Sequence, residues 1–247
     1  MRLLSSATIT QVITLNPYAT DSPDFSHPWG TVRDNTTCSA FWNGLSAVIN
    51  KSSVSVLDLG CAGGGLVIEG AALGHDTIGL EGSDYWTRHI EDNCQSAYQW
   101  KRYKDQRLFN CDITQPFFII GINFNVTAEN NQTNIFINPT ISYRKFDVVM
   151  AWEVLEHLSP LRLQVALGNI YNHMADDGIF IASISMVSDT PEGVELHQIR
   201  KPIEWWLNEI MKYGLFKCVE PYPFEKLYPP RAELSSFFVL VRKNCFS

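Results

Sequence analysis

Residues Val54 to Gly65 read Val-Ser-Val-Leu-Asp-Leu-Gly-Cys-Ala-Gly-Gly-Gly: an apolar run, an acid, then a cluster of glycines. Leu66 to Leu73 follow with the composition of a helix. Strand, glycine turn and helix in that order make a nucleotide site. Glycines let the backbone approach a ligand, and the start of the helix offers N–H groups that have no partner within it. Asp58 stands two residues before Gly60. A carboxylate at that strand end adds nothing to a pyrophosphate cradle. It does suit a cofactor with an amino-acid portion, whose ammonium it can take directly or through water. A rival reading is the dinucleotide fingerprint Gly-x-Gly-x-x-Gly, which Gly60, Ala62 and Gly65 satisfy loosely.

Further acids follow at strand ends. Asp76 to Glu81 is a second apolar run, followed by Gly82. A carboxylate such as Glu81 can accept both hydroxyls of a ribose, which serves either cofactor. Asp112 closes Arg107-Leu-Phe-Asn-Cys-Asp, where an acid and the N–H of Ile113 can meet a nucleobase edge. An isolated Asp after a strand is also a common turn former. Its weight here comes from its order along the chain.

The string Val-Leu-Asp-Leu-Gly-Cys-Ala-Gly-Gly-Gly resembles the first motif of the class I S-adenosylmethionine (SAM)-dependent methyltransferases, acid-x-Gly-x-Gly-x-Gly. Asp58, Gly60 and Gly64 match, and Ala62 replaces the middle glycine. Phe146-Asp-Val-Val, then Glu153-Val-Leu-Glu-His157, resembles the strand-four motif of a group that includes the ubiquinone-biosynthesis O-methyltransferases. The resemblance spans Val54 to Val241 apart from one insertion. It implies SAM as cofactor and an α/β, Rossmann-like sheet of seven mostly parallel strands, with helices on both faces and the last strand antiparallel. It also implies that Asp58, Gly60, Cys61, Ala62, Gly64, Glu81, Gly82, Asp112, Ile113, Ala151 and Trp152 surround the cofactor.

Methyl transfer to a hydroxyl needs a base near the end of strand four. His157 is the candidate, with Glu153 and Glu156 beside it. On a helix beginning after Trp152, Glu153 and His157 share a face and can act together. The alternative for His157 is a structural cap or brace. Further on, His197 to Leu207 looks like the His…Pro-x-x-Trp-Trp element of methyltransferases in glycan and sugar biosynthesis. His197 can bind or deprotonate a hydroxyl, and Trp205 or Trp206 can stack on a sugar face. Core packing is the competing role for the tryptophans. The expected acceptor is a polar hydroxyl compound, a sugar or glycan. An aromatic or other natural-product acceptor, methylated on oxygen or nitrogen, is the second reading. A SAM-binding protein without turnover and a nicotinamide-dependent oxidoreductase are readings of other classes. No carboxylate triad of the kind that holds Mg²⁺ is visible, so no metal is expected.

The positioning elements follow from the alternation of strand-like and helix-like segments along 247 residues, which suits one α/β domain. Strands are expected near 54–59, 76–80, 107–110, 146–151, 178–184, 215–220 and 236–242. Helices are expected near 37–50, 63–74, 84–102, 160–175 and 201–213. Residues 117–145 form an insertion whose alternating apolar residues favour a hairpin. Residues 1–36 form an N-terminal arm in which Phe25, His27, Trp29 and Arg33 stand among turn formers; a lid over the site, with Trp29 and Arg33 on the acceptor, and a packed arm are both open. Residues 37–247 form the methyltransferase domain.

A net charge of -7 argues against a nucleic-acid-coating surface. Six cysteines show no Cys-x-x-Cys pair, which fits reduced thiols. No apolar run is long enough to span a membrane, and no signal peptide is visible, so a cytoplasmic protein is expected. The sequons at Asn35 and Asn125 are then idle.

Overall fold

The computed structural model describes residues 2–128, 135–218, 223 and 236–244. The chain opens with a strand that the sequence reading did not anticipate, β1 (Arg2–Thr14). Two short helices follow in the arm, α1 (Pro23–Ser26) and α2 (Trp29–Arg33). Ser22 caps α1 by accepting from the Asp24 N–H, and Pro23 fills the first helical position, where its missing N–H costs nothing. Next comes α3 (Ser39–Ile49), which buries Phe41, Trp42 and Leu45 along one stripe. It ends at Asn50, whose left-handed backbone is of the kind asparagine tolerates.

The main α/β run then begins: β2 (Ser55–Leu59), α4 (Gly65–Ala72), β3 (Asp76–Glu81), α5 (Tyr85–Arg88), α6 (Gln95–Tyr103) and β4 (Leu108–Asn110). The single helix expected over 84–102 is two helices, separated by residues 89–94 with their turn-forming Asp92-Asn93. The insertion is a pair of strands, β5 (Phe117–Ala128) and β6 (Ile135–Tyr143). The chain continues through β7 (Phe146–Trp152), a single 3₁₀ turn (Leu155–His157), α7 (Leu163–His173) and β8 (Met174–Ser185). It closes with α8 (Ile203–Met211), β9 (Phe216–Cys218) and β10 (Ser236–Lys243). Residues 219–220 of the expected sixth strand, the tip of the insertion at 129–134 and Cys245 lie outside the described residues.

The main sheet has seven strands in the order β4-β3-β2-β7-β8-β10-β9. The first five are parallel, and β10 runs antiparallel to both of its neighbours. Its central strands read as nearly unbroken apolar runs because helices cover both faces. One face packs Leu57, Val149 and Phe180 under α7 and α8, and the other packs Val56, Val148 and Ile181 under α3. Strand order reverses beside β2, between β3 and β7. In such sheets ligands bind outside the carboxyl ends of the strands at that point.

β5 and β6 form a separate three-stranded antiparallel sheet with β1, in the order β1-β5-β6. Exposure alternates along β1: Ile9, Gln11 and Ile13 are exposed, and Thr10, Val12 and Thr14 are half-buried, so one face is covered. Ile119 is almost fully buried, and Ile9, Ile13, Phe118, Ile141 and Tyr143 are half exposed or more.

Candidate active site

The loop between β2 and α4 has the conformations its residue types foretell. Gly60 and Gly64 have φ of 69° and 86°, and Ala62 has φ of 48°. Gly60 also lies so close to Val154 that an added Cβ would fall 2.5 Å from its methyl group. The loop is thus pressed against the segment after β7. Glu81, at the end of β3, holds it from the other side. One carboxylate oxygen accepts from the Ala62 N–H at 2.9 Å, and the other accepts from the Ser83 N–H at 2.8 Å and the Thr31 hydroxyl at 3.4 Å. Burial raises the Glu81 pKa, and these donors oppose that shift.

The N-terminal arm crosses these strand ends. Ala19 N–H donates to Gly82 O, Asp112 N–H to Asn16 O, and Gly63 N–H to Asp34 O, all near 2.9–3.0 Å. The Trp86 indole donates to Thr31 O at 2.8 Å. Arg162 reaches Asp21 at 3.6 Å. A cavity of about 590 Å³ lies under the arm, within the range typical of small-molecule sites.

Of the residues expected around a cofactor, Gly60, Ala62, Glu81, Gly82, Asp112, Ile113 and Trp152 line this cavity. Asp58, Cys61, Gly64 and Ala151 are buried and do not line it. Asp58 sits within β2, between Gly79 of β3 and Met150 of β7. One oxygen of Asp112 accepts from both the Thr114 N–H (2.9 Å) and its hydroxyl (2.6 Å), which fixes the turn carrying Ile113.

The β7 and β8 side of the cavity is different. The α-helix expected after Trp152 is absent: Glu153 has φ of 54° and the chain makes only the 3₁₀ turn. Glu153 N–H donates to Ser183 O and Oγ, which holds the turn against β8. Glu153 and His157 are therefore not neighbours along a helix face, yet both line the cavity. His157 Nδ1 donates to Asp24 Oδ2 of the arm at 2.9 Å. Burial lowers the His157 pKa, but the bond and charge of Asp24, with Glu156 and Asp189, outweigh it and raise it to about 9.

His197 meets His157 edge to face, with ring centroids 4.6 Å apart. Its Nδ1 donates to Val187 O at 2.6 Å. Burial and the neighbouring His157 charge lower its pKa. Behind them Glu156 is fully buried. Its Oε1 accepts from the Ser185 N–H at 2.7 Å, and its Oε2 has no hydrogen-bond partner. Burial, and then the Glu153 charge, push the Glu156 carboxyl well above the usual carboxylate range.

Trp29 and Arg33 line the cavity from the arm, with the guanidinium 3.5 Å from the indole centroid. The tryptophans of α8 are elsewhere. Trp206 is fully buried in the core, Trp205 packs against the same core, and neither lines the cavity. A sugar platform built from that pair is thus corrected. Arg200 is exposed and pairs with Glu195. Asp24 and Glu156 were not among the expected site residues. For Asp24 no local signal exists, whereas Glu156 stood next to His157 in the strand-four motif.

A methyltransferase-domain family model matches residues 33–217. No curated protein sequence matches the chain. Among solved structures, the chain is similar to a 1,6-didemethyltoxoflavin-N1-methyltransferase of Burkholderia thailandensis with bound 1,6-didemethyltoxoflavin and S-adenosylhomocysteine (SAH). The identity is 18%, coverage is 90% of this chain and 84% of that one, and the TM-score is 0.55. It is also similar to a SAM-dependent methyltransferase of Clostridium acetobutylicum, at 13% identity, 90% and 98% coverage and a TM-score of 0.54. A third similar structure is the PH0226 protein of Pyrococcus horikoshii, at 14% identity, 94% and 97% coverage and a TM-score of 0.51.

Proposed function

Because the chain belongs to the class I SAM-dependent methyltransferases, we propose that it transfers the methyl group of SAM to a hydroxyl of a polar small molecule, with a sugar or glycan as the acceptor class. The observation that carries this reading is one cavity lined at one end by the glycine loop and Glu81, and at the other by Glu153, His157 and His197. SAM brings a methyl group already activated on a sulfonium. The chain has to bind it, align an acceptor, exclude water and take up a proton.

In this reading the Gly60–Gly64 loop and Glu81 hold the nucleoside, with the ribose against the carboxylate. Asp112 and Ile113 face the adenine edge, and the Trp152 backbone runs beside the methionine portion. Asp58, set back in β2, supplies negative potential to the amino group. His197, whose pKa is lowered, takes the acceptor proton, or His157 does so once its ring has lost its own proton. The arm, residues 1–36, is the lid of a domain formed by 37–247, and its contacts across the strand ends shield the methyl group from water.

Support for a polar acceptor comes from the wall beyond the glycine loop, where Ser22, Asp24, Arg162, Ser188, Asp189 and Gln198 stand beside Trp29. Polar groups together with aromatic surface suit a pyranose, which has polar edges and apolar C–H faces. Phe25 and Trp29 also favour the second reading, an aromatic acceptor methylated on oxygen or nitrogen. We also read the free thiols of Cys61, Cys94 and Cys111 as those of a cytoplasmic protein. No helix among the described residues is long and apolar enough to cross a membrane.

The test is methyl-labelled SAM incubated with the enzyme and matched panels of hydroxylated sugars, phenols and aromatic amines. The proposal expects label on sugar oxygens. Label confined to the phenols or amines would establish the second reading.

A further inference from the structure

We propose that Glu156, His157 and His197 bind a divalent transition-metal ion at the acceptor end of the cavity. One potential ligand atom from each lies within 4.8 Å of the other two. Ligands arranged tetrahedrally at zinc–nitrogen distances stand roughly 3.4 Å apart, so the three side chains would have to draw together around the ion.

The hydrogen bonds around the three residues favour this use. Metal-bound histidines characteristically donate their second ring N–H to a carboxylate or a backbone carbonyl. His157 donates to the Asp24 carboxylate, and His197 donates to the Val187 carbonyl. A carbonyl can only accept, so His197 carries its proton on Nδ1, and Nε2 is left as the free lone pair when the ring is neutral. Each Nδ1 is engaged, so Nε2 is the nitrogen each ring has left; His197 offers it as a lone pair, and on His157 a bound ion would displace its proton. The third group is the strongest evidence. Glu156 is fully buried, its Oε1 is held by Ser185 N–H, and its Oε2 has no hydrogen-bond partner. A buried carboxyl oxygen without a partner is costly, and a cation taking the place of the carboxyl proton satisfies it. Glu153 and Asp189 add negative potential around the two rings.

Two imidazoles and one carboxylate select zinc, manganese, iron or cobalt over magnesium or calcium, which take mainly oxygen. His157 and His197 line the cavity, so the remaining coordination positions face the space where an acceptor would lie. The ion deepens the proposed function, and what it does there rests on that reading. It would hold an acceptor hydroxyl and ease loss of its proton to solvent. The oxygen's electron pair would then form the bond to the methyl carbon as the carbon–sulfur pair returns to sulfur. Whether the ion binds is independent of that reading.

The test uses the full-length chain after exhaustive chelation. Zn²⁺ is titrated calorimetrically, and Co²⁺ is titrated by its visible absorption. SAH is titrated in parallel on each sample as the measure of an intact cleft. The expected result is one equivalent of Zn²⁺ bound below micromolar, and Co²⁺ bands typical of a nitrogen–oxygen site. Glu156→Gln and His197→Ala should each weaken Zn²⁺ at least a hundredfold while SAH still binds. Asp24→Asn should weaken it by about 10–100-fold, as loss of an outer partner does. Wild-type protein that binds SAH but takes up less than stoichiometric metal overturns the proposal. So does unchanged metal affinity in both Glu156→Gln and His197→Ala. Wild-type protein that binds zinc but not SAH overturns the cofactor assignment and leaves the metal site standing.

Discussion

Asp24 and His157 are 133 residues apart in the chain, yet Oδ2 of the first accepts from Nδ1 of the second at 2.9 Å. The bond ties the ring to the arm at the wall of the cavity that His157 lines. A residue of the arm thereby sets the orientation of a residue on the turn after β7. The arm contributes chemistry as well as cover.

Asp24→Asn keeps the shape of that side chain and loses its charge. Turnover should fall by roughly 10–100-fold, below the full effect of losing a general base. SAH affinity should change far less than turnover, because Asp24 reaches the nucleoside residues only through its charge on Glu81. Steady-state kinetics and SAH calorimetry check this together. A parallel loss of both would mean that Asp24 only holds the arm in place.

Glu81 receives the N–H groups of Ala62 and Ser83. Glu81→Gln replaces a charge-assisted acceptor by a neutral amide that can accept through one atom only. SAH affinity should drop by about 1.5–3 kcal/mol. An unchanged dissociation constant would restrict Glu81 to a structural role in the loop.

Gly65 opens α4 against the arm, and an added Cβ would stand 2.5 Å from Thr36 O and 2.6 Å from Asn35 O. Backbone cannot swing aside as a flexible side chain can. Gly65→Ala should therefore displace residues 34–36 and break the Gly63–Asp34 bond, with severe loss of SAH binding. Gly168 in α7 has open space where its Cβ would go. Gly168→Ala is the matched control, and should stabilise by about 0.5–1 kcal/mol with binding intact. Thermal unfolding and SAH titration of both variants test the contrast.

His173 is buried, stacks on Phe117 at 4.4 Å and donates Nδ1–H to Asn169 O. Burial lowers its pKa to about 4 from an ordinary 6.5. The folded protein thus prefers the neutral ring, and the unfolded chain takes up a proton first as pH falls. Its contribution is complete above pH 6.5 and is lost as pH drops toward 4, by roughly 3 kcal/mol in total. His173→Phe should flatten that part of the stability curve in urea unfolding at several pH values. An identical slope in the variant would refute the assignment.

Trp206 is fully buried beside Ile210 and Phe216. Trp206→Ala should cost about 3–5 kcal/mol of stability, the usual range for a large core truncation. Trp205→Ala should leave the acceptor KM unchanged, since Trp205 does not line the cavity. A raised KM in a folded Trp205→Ala protein would restore the aromatic-platform idea.

Local chemistry explains which parts of this site could be read from the sequence. The glycine loop was legible because Gly60 and Gly64 need positive φ, a requirement carried by residue type alone. The central strands β2, β7 and β8 were legible because burial on both faces demands apolar runs. The α8 tryptophans were misread because composition supplies aromatic rings but not the facing of a helix. In the structure Trp206 and Ile210 share the stripe against the sheet, and Trp205 lies at its edge. Asp24 was invisible for a different reason. It stands in a stretch of turn formers where an acid is unremarkable, and only the folded arm gives it a partner. The left-handed Glu153 that replaced an expected helix start is likewise set by its fit against β8.

The pairing of β1 with β5 has a consequence for how the enzyme is made. Thr14 pairs with Phe117 and Arg2 with Ala128, so β1 leaves the ribosome more than a hundred residues before the strand it pairs with. Closing so large a loop is slow compared with forming the local β2–α4–β3 unit. The sheet and glycine loop can therefore order first, while the opening strand and the roof attached to it remain unanchored. A refolding experiment would show this as SAH binding that returns after the bulk of the secondary structure.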